Sequence, residues 1–437
     1  PAFVAHFARA MERAQPDRFP PAIKFLAWNE AAERFSYYGM TSILTLYVAR
    51  NLGLPENQSK AAYHAFTFAA YFMPIAGAWI ADRFWGRYRT ILWLSFGYVA
   101  GHATLALWES GTGLLAGLAL IAVGAGGIKP CASAFAGDQI PSGREGMLPR
   151  LYDLWYWMIN LGSTLGSLLI PLLFDRVGPR VAFAVPGLAM ALALAVFLAG
   201  RKGYVRPPPA RAAPREEAGR GDGAAILRIA AVFAPVAAFW ALFFQYGSSW
   251  TLQADRMDRD LLGYRVPAGQ VQTLDALLVL ALIPLFAGVV FPALERRGVR
   301  VTALRKMTAG MFVTTRSFVA AGMVESALQA GRTPHVAWQV PQYLFLVVGE
   351  VLVSVTALEF AYAQAPARLK SLVMGLWFVT IASGSLLTAV VAWLNRFQGV
   401  AYFLFFALLQ LAAAAVFALV AWWYPAAPAA RRAAGPA

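Results

Sequence analysis

Long apolar runs, each poor in charge, recur along this 437-residue chain, and short stretches rich in arginine, proline and glycine separate them. About 20 predominantly apolar residues in a helix cross the hydrocarbon core of a bilayer. The runs predict helices over 22–49, 61–82, 88–109, 113–137, 150–173, 181–200, 224–254, 268–294, 302–328, 339–364, 370–395 and 399–424. The longest interruption, 201–223, contains Pro207, Pro208, Pro209, Pro214, Arg215, Glu216 and Glu217, and is too polar and irregular to cross a membrane. It divides the pattern into a six-helix bundle over 1–200 and another over 224–424, followed by a tail over 425–437 expected in the cytoplasm.

Composition agrees with lipid as the solvent. Hydrophobic residues make up 59% of the chain and charged ones 14%, against roughly 25% charged in soluble domains. The net charge of +15 would suit a nucleic-acid binder, but its placement argues otherwise. With the N-terminus inside, 25 of the 37 basic residues fall in segments on the cytoplasmic side and nine on the outer side. That asymmetry is the positive-inside signal, and it predicts both termini in the cytoplasm. A single cysteine, Cys131, leaves no intrachain disulfide, and four scattered histidines offer no metal spacing. The first apolar run does not read as a cleaved signal peptide, because Glu30, Glu33 and Arg34 interrupt it. No nucleophile–base pair points to an enzyme, and no cofactor is expected. Two six-helix halves are the layout in which membrane carriers hold a ligand near the midplane.

Charges inside the predicted helices are the sharpest functional signal, since each costs about 2.5–3.5 kcal/mol at a helix centre on insertion scales. Glu30, Glu33 and Arg34 occupy one face of the first helix, at offsets of three and four. One carboxylate can pair with Arg34, leaving a surplus acid able to take and release a proton. Lys129 follows Gly124-Ala125-Gly126-Gly127 and precedes Pro130, in a run small enough for close helix approach and expected to break at the proline. Its natural partner is the surplus acid. Glu350 stands mid-helix with no basic neighbour in its own segment, so its positive partner must come from another helix or from the substrate. These residues predict a cavity basic on one side and acidic on the other, suited to a zwitterion with separated charges. Asp275 and Arg316 are expected to balance each other structurally.

The motifs then resemble one family closely. Glu30-Ala31-Ala32-Glu33-Arg34-Phe35-Ser36-Tyr37-Tyr38-Gly39 is similar to the first-helix signature of the proton-dependent oligopeptide transporters. Phe135-Ala136-Gly137-Asp138-Gln139, Tyr156-Trp157-Met158-Ile159-Asn160-Leu161-Gly162-Ser163 and Gly349-Glu350-Val351 through Leu358-Glu359-Phe360 resemble later signatures of that family, in order. Asp82-Arg83-Phe84-Trp85-Gly86-Arg87 resembles the loop signature of the major facilitator superfamily. The resemblance implies an all-α membrane protein of that superfamily's fold: 12 helices in two six-helix bundles, in the cell inner membrane. It implies a monomeric symporter that imports di- and tripeptides with protons. Glu30 and Glu33 would couple protons, with Lys129 and His64 taking part. Arg34 and Lys129 would hold the peptide carboxylate and Glu350 its amino terminus. Tyr37, Tyr38, Tyr71, Tyr156, Asn160, Trp240, Ser354 and Trp377 would complete the site. Two departures stand out. Phe244 occupies a position where the family usually carries an acid of an outer-side salt bridge, so His64 or Asp255-Arg256 would have to compensate. The chain also has a polar linker where bacterial members often insert a helix pair.

Overall fold

A computed structural model describes residues 18–209, 222–364 and 370–424. The proline- and charge-rich part of the linker over 210–221, the tail over 425–437 and residues 1–17 lie outside the described residues. Within them, every predicted run is helical. The helices are α1 (Ala22–Leu46), α2 (Glu56–Ile80), α3 (Gly86–Leu107), α4 (Gly111–Gly137), α5 (Leu148–Arg176), α6 (Pro179–Ala199), α7 (Asp222–Phe243), α8 (Ser249–Asp255), α9 (Thr273–Leu285), α10 (Phe291–Arg296), α11 (Ala303–Gln329), α12 (Val340–Glu350), α13 (Thr356–Gln364), α14 (Lys370–Leu394) and α15 (Gly399–Trp423). A short hairpin, Asp260–Leu261 with Tyr264–Arg265, and an isolated bridge between Asp258 and His335 are the β structure among the described residues. Lipid offers the backbone no hydrogen-bond partner, which is why apolar runs of this length close their own ladders as helices. Nine described helices are long and apolar enough to cross a membrane, one of them a 52-residue run that takes in α2 and α3. The charge-bearing α1 and α11 are not among the nine.

Three sequence expectations change at this level. The second run starts at Glu56, before the predicted position 61, because the polar turn Glu56–Lys60 continues the helix outward. Pro130 does not break α4, which runs on to Gly137; the ring removes one donor, and the ladder closes around it. Several predicted single helices contain wider or tighter turns. Wide turns cover Tyr47–Asn51, Ala81–Trp85, Phe286–Val290 and Val351–Val355, and the last begins directly after Glu350. Such wide turns gather at functional sites because they re-aim side chains.

The chain forms two compact units. The first comprises 1–40, 76–166 and 179–212; the second comprises 41–75, 167–178 and 213–437. The boundary therefore also runs through α1, α2 and α5, whose remaining halves cluster with the residues after the linker.

Glycine sets the packing of the first unit. A side chain at Gly77 would strike the backbone of Gly126, and one at Gly124 would lie 2.7 Å from Tyr98 Cβ. The small-residue run of α4 thus lets α2 and α3 approach backbone to backbone. In the second unit, at the short turn between α5 and α6, Gly178 has φ +118°, a conformation that side chains oppose. At the base of α3, Arg87 donates to both oxygens of Asp138 at 2.6 and 2.7 Å, while Gln139 exchanges hydrogen bonds with the backbone of Val205. The Asp82–Arg87 turn is thereby tied to the end of α4.

Candidate functional site

In the first unit the charged turn of α1 is buried: Glu30, Glu33 and Arg34 are 3%, 0% and 8% exposed. Arg34 Nε lies 3.1 Å from Glu30 Oε1, and its Nη2 pairs with Glu33 Oε2. One guanidinium therefore bridges both acids, where the sequence suggested one pair and one surplus carboxylate. The i,i+4 spacing brings Glu30 within reach, and the forked guanidinium extends to Glu33 as well. Lys129 on α4 places Nζ 3.8 Å from the centre of the Tyr37 ring, and both helix-1 carboxylates lie within its electrostatic reach. Tyr37 meets Tyr38 edge to face with centroids 5.3 Å apart.

On α5, Asn160 donates to Tyr156 O at 2.9 Å, and the Tyr156 side chain is exposed. Two turns of α5 press on α1: a side chain at Gly162 would strike Ala31 O and come 2.8 Å from Arg34 Cβ.

Sequence reasoning missed a second layer here. Ser36 on α1 and His102 Nε2 on α3 are 2.9 Å apart, and Tyr98 stacks on His102 at 5.3 Å, with all three side chains buried. Tyr98 also sits beside Glu33 and Arg34. Tyr98 and His102 are four residues apart, on one face of an apolar helix. That spacing of polar atoms was the available signal.

In the second unit, Trp240 and Trp377 are buried and cross at 82° with centroids 5.6 Å apart. Phe244 stacks on Trp240 at 5.6 Å and meets Tyr71 at 5.2 Å, so the position that lacks an acid is part of an aromatic cluster. Glu350 ends α12 with Oε2 buried and without a hydrogen bond among the described residues, and Ser354 lies in the wide turn that follows. His64 is buried against Tyr63, and its Nε2 is 2.8 Å from Ser248 Oγ.

The same unit contains an ion-pair cluster that joins the ends of α1, α5 and α8. Arg50 pairs with Asp175 at 3.0 Å and also with Asp255, and Arg259 lies 3.4 Å from Asp255. Arg256 instead holds Glu325 at 2.8 Å. Nearby, Thr45 donates to Gly247 O at 2.7 Å. Asp275 makes no ion pair with Arg316 among the described residues, contrary to expectation. Arg316 is exposed, while Asp275 Oδ1 is buried.

Nine described helices of membrane length, with charged and polar groups buried among their apolar neighbours, define a multi-pass membrane protein. The POT family pattern matches residues 88–220 and 221–399. Solute carrier family 15 member 2 of Mus musculus is 37% identical over 389 residues, covering 77% of this chain and 53% of that protein. Peptide transporter family 1 of Drosophila melanogaster is 35% identical over 364 residues, covering 72% and 49%. The crystal structure of the POT family transporter PepTSo superposes with a TM-score of 0.88 at 34% identity, covering 93% of this chain and 99% of that one. This chain belongs to the POT family and has the major facilitator fold of its solved transporters. It spans about half the length of the curated relatives it matches.

Proposed function

We propose that this protein is a proton-coupled symporter that imports di- and tripeptides across the cell inner membrane by alternating access, driven by the proton gradient alone and without a cofactor. Membership of the POT family, with relatives named as peptide transporters, supports the substrate class.

The observation that carries the mechanism is Arg34 shared between Glu30 and Glu33 in a buried turn. While both acids are ionised, they occupy the guanidinium. A proton on either one frees N–H donors of Arg34, which with Lys129 take the peptide carboxylate as charge-assisted hydrogen bonds. Glu350 takes the peptide ammonium. Tyr37, Tyr38, Tyr71, Tyr156, Asn160, Trp240, Ser354 and Trp377 supply the remaining surface. Loss of the proton on the inner side lets Arg34 return to its acids and releases the peptide. His64 is a second candidate for proton handling.

Each positive charge moved inward gains about 2.3 kcal/mol per 100 mV. A tenfold concentration ratio costs about 1.4 kcal/mol. One proton therefore concentrates a neutral peptide by tens-fold at that potential.

Glu33→Gln leaves Arg34 with one ionisable partner. Its expected phenotype is loss of gradient-driven accumulation of labelled dialanine in proteoliposomes, with counterflow retained. Accumulation at the wild-type level would remove Glu33 from the coupling role.

A further inference from the structure

Glu350 is not alone in its part of the second unit. Asp275 lies in the first turn of α9, and Leu282 of α9 packs against Val347 of α12 and Val351 of the wide turn after it, with Leu278 and Val279 beside them. Asp275, Leu278, Val279 and Leu282 follow the i, i+3, i+4, i+7 spacing, which places the carboxylate on the face that meets α12. Asp275 Oδ1 and Glu350 Oε2 are both buried, and neither has a hydrogen-bond partner among the described residues. The two carboxylates lie within electrostatic reach of each other.

No cation balances them among the described residues. Arg316 on α11 is exposed, and Glu325 on the same helix already holds Arg256. The remaining titratable neighbour of Asp275 is Tyr343 on α12, whose buried hydroxyl is also unpartnered and which has Tyr63 close by. A neutral phenol supplies no compensating charge. Two carboxylates on packed helices, each with a buried, unpartnered oxygen and no cation to balance them, cannot both remain ionised at low cost.

We propose that Asp275 is a proton site linked to the substrate's ammonium group: it holds a proton while Glu350 is unoccupied and gives it up when the ammonium arrives. This rests on the assignment of Glu350 to the peptide amino terminus. The ammonium cancels the charge of Glu350 and adds an attractive cation beside Asp275. The Asp275 O–H bond then breaks, its electron pair stays on the carboxylate, and the proton leaves to water. No other bond changes. Amine docking is thereby reported at a place separate from the acids of α1.

Isotope-edited infrared spectra of the purified wild-type chain in detergent, grown with carboxyl-13C aspartate, test this directly. The expected result is a protonated-carboxyl band near neutral pH that shifts with the label and disappears on addition of dialanine. Absence of that band in the empty protein, or its persistence with dialanine bound, overturns the proposal without any variant. Calorimetry in two buffers of different ionisation heat gives a second readout. Wild type should release about one more proton per dialanine bound than Asp275→Asn, and equal counts would overturn the proposal. If dialanine gives no binding heat at all, the peptide reading itself fails, and the band in the empty protein still decides whether Asp275 carries a proton.

Discussion

Lys129 reaches over the face of Tyr37 at 3.8 Å, so the ring partly compensates the one charged side chain of a predominantly apolar helix. A desolvated contact of this kind contributes about 0.5–2 kcal/mol. Tyr37→Phe keeps the aromatic face and should leave the KM for dialanine within about twofold. Tyr37→Ala removes it and should raise KM by roughly 2- to 30-fold, the range that follows from that energy. Equal KM values for the two variants would show that the ring does not hold Lys129. The residues of this turn could be read from the chain because charge in an apolar run is costly and therefore conspicuous. Their pairing could not. Spacing puts Glu30, Glu33 and Arg34 on one face, but whether one guanidinium serves both acids depends on side-chain geometry set by the neighbouring helices. Asp275 and Arg316 failed for the same reason: charge balance was legible, while the face each residue presents was not.

At the scale of elements, glycine decides how closely the charged turn of α1 is held. A Cβ at Gly162 would meet Ala31 O and Arg34 Cβ, contacts made by backbone and by the root of a side chain rather than by a flexible tip. Gly162→Ala should destabilise the protein by about 1–3 kcal/mol through overpacking. It should also reduce dialanine transport, since the displaced residue is Arg34. An unchanged melting temperature together with wild-type uptake would contradict this packing.

The ion-pair cluster around Arg50 makes a separate prediction. Arg50 is about one-third exposed on its side chain, and each such pair contributes only about 0.2–1 kcal/mol. Arg50→Ala should therefore leave the fold intact while loosening the joined ends of α1, α5 and α8. In a Cys131→Ser background, Thr45→Cys should react with a membrane-impermeant maleimide several-fold faster once Arg50 is replaced by alanine. An unchanged labelling rate would mean that the cluster does not hold these ends together. Helix positions were legible because hydrophobic run length dictates them. The wide turn after Glu350 was not, because nothing in Val351–Val355 distinguishes a π turn from an α turn by composition.

For the whole molecule, the unit boundary is the feature hardest to anticipate. The polar linker is visible in the sequence, yet the compact units also divide α1, α2 and α5. Long-range partners such as Arg50 with Asp255, or Gln272 with Ser42 O at 3.2 Å, assign those helix ends to the second unit. The sequence of an isolated helix does not contain that information. The charged turn of α1 and the acid on α12 lie in different units. A carrier that couples protons to peptides needs a cycle in which both act on one substrate.

The most direct measurement of that claim is uptake of labelled dialanine into proteoliposomes containing the purified chain, with an inward proton gradient and again after an uncoupler has collapsed it. Proton-coupled import gives accumulation above the external concentration with the gradient and mere equilibration without it. Failure to accumulate dialanine under the gradient, by protein shown to be folded and inserted, would contradict proton-coupled peptide import.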